Sequence, residues 1–150
     1  LQYGNPDRAY ECFQKMANIC PSLLLEVDTY YQLGCGDQPK GQMGDMTSLN
    51  VKRNSIPLLV MMKSLNVDAN TSKGVKRLGR ASYAKAFHSL GLLAYNTRDF
   101  KTARNFFLRA MLNDYRLLFN RQVISLSLKS LLGPRTIDSL KGIRKRAAST

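Results

Sequence analysis

Histidine occurs once in these 150 residues, at position 88. No histidine-based metal cluster can be built from one imidazole, and any hydrolytic triad would depend on that single side chain. Helical spacing sets His88 beside core positions without an evident partner, so a structural role is expected of it. The three cysteines, Cys12, Cys20 and Cys35, are odd in number and contain no Cys-x-x-Cys pair, which supports neither a zinc site nor a disulfide framework. Buried thiols in a reducing cytoplasm are the expectation. The longest apolar run, Ile56 to Met62, contains Pro57 and stops at Lys63, far short of the roughly 20 residues that span a bilayer. No stretch alternates apolar and polar residues between hairpin turns, which argues against a sheet.

Acidic residues are scarce as well. Ten Asp and Glu against 23 Lys and Arg leave a net charge of +13, which calls for an acidic partner: nucleic acid, an anionic lipid surface or an acidic protein. From Tyr115 onward eight basic residues face the single Asp138, whereas the first 114 residues carry fifteen against nine. Charge is therefore densest at the C-terminal end. A 44% hydrophobic composition with 22% charged residues is that of a chain that folds, and the length suits one domain. Leu1 is neither an initiator Met nor the start of a signal peptide, and the chain is expected to be the C-terminal part of a longer protein.

What remains is helical periodicity. Asn5-Pro6-Asp7 opens a short amphipathic helix with Ala9, Phe13, Met16 and Ala17 on one face, closed by Pro21. Pro21-Ser22 opens a second carrying Leu23, Leu24, Val27, Tyr30, Tyr31 and Leu33, ending at Gly34. A glycine-rich loop over 34–46 follows. A helix then runs from about Thr47-Ser48 to Asn66 with a kink or break at Pro57, and a polar loop spans Asp68 to Gly74. Further helices are expected over Val75 to Asn96, Asp99 to Asn113, Tyr115 to Leu132 and Ile137 to Ala147, with Gly133-Pro134 between the last two. The fold class is all-α, in one domain over 1–150: helices in 1–33, the loop at 34–46, helix and loop in 47–74, and a hairpin with tail helices in 75–150.

The stretch GLLAYNTRDFKTARNFFLRA, Gly91 to Ala110, supplies the packing. Phe87, Leu90, Gly91 and Ala94 lie where one helix meets its partner, and Phe100, Ala103, Phe107 and Ala110 answer from the second. Small residues let two antiparallel helices approach within about 8–10 Å while the aromatics fill the space around the contact. Asn96 to Asp99 forms the turn, with Asp99 as N-cap. Counted from Ala84, this order resembles a tetratricopeptide repeat, and Ala9, Phe13 and Pro21 fit the second helix of another unit more loosely. The resemblance implies antiparallel helix hairpins of that type.

Four other segments invite chemistry. Leu23-Leu24-Leu25-Glu26-Val27-Asp28 has the hydrophobic run and acid-x-acid spacing of a divalent-metal motif. On a helix, however, residues two apart point about 200° apart and cannot share an ion. Gly34-Cys35-Gly36 and Gly41-Gln42-Met43-Gly44 lack the strand and the Lys-Ser/Thr of a phosphate loop. No catalytic, cofactor-binding or metal-ligating residue is assigned. Arg135, Lys141, Arg144, Lys145 and Arg146 flank an apolar stripe of Ile137, Leu140, Ile143 and Ala147, a basic C-terminal amphipathic helix that either docks on the body or contacts an anionic surface. Nucleic acid ranks last, because these cations are not interleaved with stacking aromatics.

Over residues 81–146, ASYAKAFHSLGLLAYNTRDFKTARNFFLRAMLNDYRLLFN with the later LSLKSLLGPRTIDSLKGIRKR resembles the helical C-terminal region of bacterial family 2 glycosyltransferases. That resemblance implies a parent enzyme transferring a sugar from a nucleotide-sugar donor, with a divalent metal expected alongside that donor in a catalytic domain outside this chain. The segment itself would be a non-catalytic accessory domain without a cofactor. It would be cytoplasmic or peripheral at the inner membrane surface, and its partner would be that catalytic domain or another protein held in grooves between helices. The alternatives are a free-standing tetratricopeptide-like interaction scaffold and, behind it, a basic nucleic-acid-binding helical domain.

Overall fold

A computed structural model describes residues 6–36, 46 and 49–132. The described residues are helical throughout their regular structure and contain no strand: α1 (Pro6–Ile19), a 3-10 turn (Pro21–Leu25), α2 (Val27–Cys35), α3 (Val51–Val67), α4 (Lys73–Asn96), α5 (Phe100–Asn113), a second 3-10 turn (Tyr115–Phe119) and α6 over 121–132. The all-α class expected from periodicity holds.

The central rod is α4, against which α2, α3, α5 and the first 3-10 turn all pack. Its burial runs from Val75 to Ala94, with Leu90, Leu93 and Ala94 fully inside. Local chemistry sets the helix starts. Asn50 accepts from the Arg53 amide at 3.0 Å, Ser72 from Val75 at 3.3 Å and Asp99 from Thr102 at 3.1 Å, so each side chain satisfies an amide that the first helical turn leaves unpaired. From outside, α1 clamps the connection between α3 and α4: Tyr10 donates to Asp68 Oδ2 at 2.9 Å, Gln14 to Thr71 Oγ1 at 3.2 Å, and Asn18 Oδ1 accepts from the Ser72 amide at 3.0 Å.

Two expected helices are each divided. The element read as one helix from Pro21 is a 3-10 turn, an extended Glu26 and then α2, which continues through Gly34 to Cys35 instead of stopping before them. The element read as one helix from Tyr115 is a 3-10 turn, Asn120 in extended conformation and then α6. The reason is common to both. Leu24 and Tyr30 are buried, as are Leu117 and Val123; residues six apart on one continuous helix point roughly 120° away from each other. Breaking the helix between them brings both members of each pair into the core. Tyr30 donates to the Leu24 carbonyl at 3.0 Å and Asn120 caps the new start by accepting from Gln122 and Val123 at 3.0 and 3.2 Å.

Of the kink or break expected at Pro57, the break is absent: α3 begins at Val51, later than Thr47-Ser48, and passes through Pro57 as one helix. Leu58, Met61, Met62 and Leu65 are buried on the far side of the proline, so packing holds the helix together past the missing hydrogen bond. Cys35 is buried but Cys20 is half-buried and Cys12 exposed, because α1 turns only its Phe13 and Ala17 face inward. Of the expected glycine-rich loop, residues 37–45 lie outside the described residues, as does the whole basic segment with Arg135, Lys141, Arg144, Lys145 and Arg146.

Where α2 ends, Gly36 adopts φ +63°, and a Cβ there would lie 2.8 Å from Asn54 Nδ2. Glycine meets both demands. Asn54, buried on α3, donates to the carbonyls of Gly34 and Cys35 at 3.3 and 2.9 Å and so terminates α2 with a neighbouring helix's side chain.

Candidate functional site

The hairpin formed by α4 and α5 sets the frame for the site. Residues 97–99 join them through a Schellman turn: the Asp99 amide bonds to the Ala94 carbonyl at 2.9 Å and the Arg98 amide to Tyr95 at 3.1 Å, with Arg98 at φ +62°. Asp99 then caps α5, so three residues reverse the chain. Along the seam a Cβ on Gly91 would lie 2.7 Å from two ring carbons of Phe107. Leu90, Ala94, Ala103, Phe107 and Ala110 have no exposed surface, and Phe87 is 8% exposed. Phe100 is half-buried at the hairpin's end, edge-on to Tyr95 at 5.2 Å. Two aromatics not assigned to the seam from sequence extend it: Tyr83, Phe87 and Phe106 stack in series at centroid distances of 6.0 and 6.2 Å.

Both α3 and α5 run back along α4, and between them lies an open groove of about 700 Å³. Its lining includes Ile56, Leu59, Phe106 and Leu108, bordered by Lys52, Lys101, Arg104 and Arg109. Ile56 and Leu108 are 61% and 52% exposed, while Phe106 is buried. The Arg109 guanidinium lies 5.8 Å from the centre of the Phe87 ring, within cation–π range. Among the described residues none of these four cations has a carboxylate partner, and the groove's Asp99 is occupied in capping α5.

No single segment announces the groove, because its two walls are 40 and more residues apart in sequence. The legible signal was repetition: Lys52 and Ile56 on α3, and Arg104 and Leu108 on α5, each place an apolar residue one turn after a cation and off the buried stripe.

The other candidates remain apart. Glu26 is the extended N-cap of α2 and Asp28 lies in its first turn, both exposed, and no group of three or more His, Cys, Asp or Glu among the described residues could hold a metal ion. His88 is buried, its Nε2 has no hydrogen-bond partner among the described residues, and its ring centre lies 6.2 Å from that of Phe107. Burial, and secondarily Lys85, holds its imidazole below the ordinary value, so it is neutral at pH 7. Burial likewise raises the Cys35 thiol and the Tyr83 phenol. Burial, assisted by the bond to Asp68, pushes Tyr10 up to about 12. No helix among the described residues is long and apolar enough to cross a membrane.

No family model matches the chain, and searches of curated proteins and of solved structures give no match either.

Proposed function

We propose that this chain is a non-catalytic helical interaction domain that receives a protein partner in the groove between α3 and α5. The observation that carries this reading is the pairing of exposed Ile56 and Leu108 with four cations that have no carboxylate partner among the described residues, all in one concave surface. Exposed apolar side chains gathered in a groove are what docking surfaces present, and a charged border adds steering and selectivity. The close approach of Gly91 to Phe107, and Ala103 and Ala110 on the facing helix, support a tetratricopeptide-like character for the hairpin. The resemblance of residues 81–146 to the helical region of family 2 glycosyltransferases makes the catalytic domain of a nucleotide-sugar-using parent the first partner to test, in the cytoplasm.

A photo-crosslinking residue at position 56 or 108, in the protein expressed in its own cells, tests the reading. Val67 is 74% exposed at the other end of α3 and serves as control. Protein adducts at 56 and 108 and none at 67 are expected. Equal labelling at all three positions, or no adduct at 56 and 108, would overturn it.

A further inference from the structure

The groove between α3 and α5 carries information about the chemistry of its occupant. Four cations border it, and the one carboxylate among its described lining residues, Asp99, accepts the Thr102 amide at 3.1 Å. Lys52 and Lys101 are the second residues of α3 and α5, whose N-terminal ends contribute potential of the same sign. Between the cations, Ile56, Leu59 and Leu108 offer apolar surface to whatever enters.

Several occupants are the wrong shape or sign. Residues 133–150 carry five Lys and Arg against Asp138, and a second copy brings another +13, so both meet a like-charged border. A bilayer surface is flat and cannot follow a concavity between two helices. Binding of single-stranded nucleic acid combines a basic groove with stacking on exposed aromatics, and the aromatic among the groove's described residues, Phe106, is 6% exposed. A helix with one apolar face flanked by Asp and Glu matches both the floor and the border.

Resting on the interaction reading above, we infer that the occupant is an acidic amphipathic helix of a protein partner. Its apolar face lies on Ile56, Leu59 and Leu108, and its carboxylates meet Lys52, Lys101, Arg104 and Arg109.

Three synthetic helical peptides of about 18 residues, five turns, test this against the full chain. All share one leucine face, with flanks of Glu, Gln or Lys. Binding is read by fluorescence anisotropy and mapped on the methyl signals of Ile56, Leu59 and Leu108. The Glu peptide is expected to bind about tenfold more tightly than the Gln peptide, the sum of a few exposed ion pairs, and to weaken with salt. The double substitution Lys52→Glu with Arg104→Glu, with circular dichroism confirming the fold, should abolish that tenfold preference of the Glu peptide over the Gln peptide. A Gln peptide as tight as the Glu peptide, shifting the same methyls, would overturn the acidic assignment while leaving the groove itself standing as an interaction site. No shift of those methyls with any peptide defeats the inference, and crosslinking at 56 and 108 then decides the groove separately. A single-stranded RNA that shifts the same methyls at lower concentration than the Glu peptide would reassign the groove to nucleic acid.

Discussion

Position 91 tolerates no ordinary side chain at the present helix separation, since even a Cβ would meet Phe107 at 2.7 Å and Phe107 is fully buried. Gly91→Leu is expected to destabilise the fold by about 1–3 kcal/mol through overpacking, read as a lowered thermal midpoint. An unchanged midpoint would mean that α4 and α5 separate freely. Three positions away, His88 makes stability depend on pH. Its imidazole is held below its ordinary value in the folded state, so as pH falls through about 6.5 the unfolded chain binds a proton that the native state refuses, and stability declines until native His88 itself titrates. The thermal midpoint should therefore drop between pH 7 and 5, above the range where ordinary carboxylates titrate. His88→Gln, whatever its mean stability, should flatten that slope; a variant retaining the full slope would trace it to other groups.

An element survives or divides here according to what its buried residues require. Leu24 with Tyr30 and Leu117 with Val123 divide two runs that periodicity reads as continuous, while Leu58, Met61, Met62 and Leu65 keep α3 whole across a proline. Pro57 is exposed and leaves the Arg53 carbonyl without its helical donor. Pro57→Ala should restore that bond and raise stability by about 1–3 kcal/mol, measured by denaturant unfolding. A loss of stability instead would show that the proline's distortion is needed to seat Leu58 and Met61.

The molecule as a whole bears +13, and such a surplus repels itself in the compact state. Added sodium chloride should raise the thermal midpoint from low ionic strength to about 0.5 M as the Debye length contracts; a flat or falling response would show the charges to be locally compensated. Net charge, the all-helical class, the Asp99 cap and the small-residue seam from Gly91 to Ala110 were legible in the chain, because each depends on spacing within one or two turns of a helix. The division at Glu26 and Asn120 and the groove were not, and at Pro57 periodicity left a kink and a break both open. Those depend on which side chains the core accepts from several elements at once, and the groove exists only because α4 holds α3 and α5 apart. Sequence settled the sign of the surface and the pairing of neighbouring helices through local periodicity. Tertiary packing alone decided where an apolar strip and four cations from distant segments share one concavity, since their proximity is a property of the rod between them.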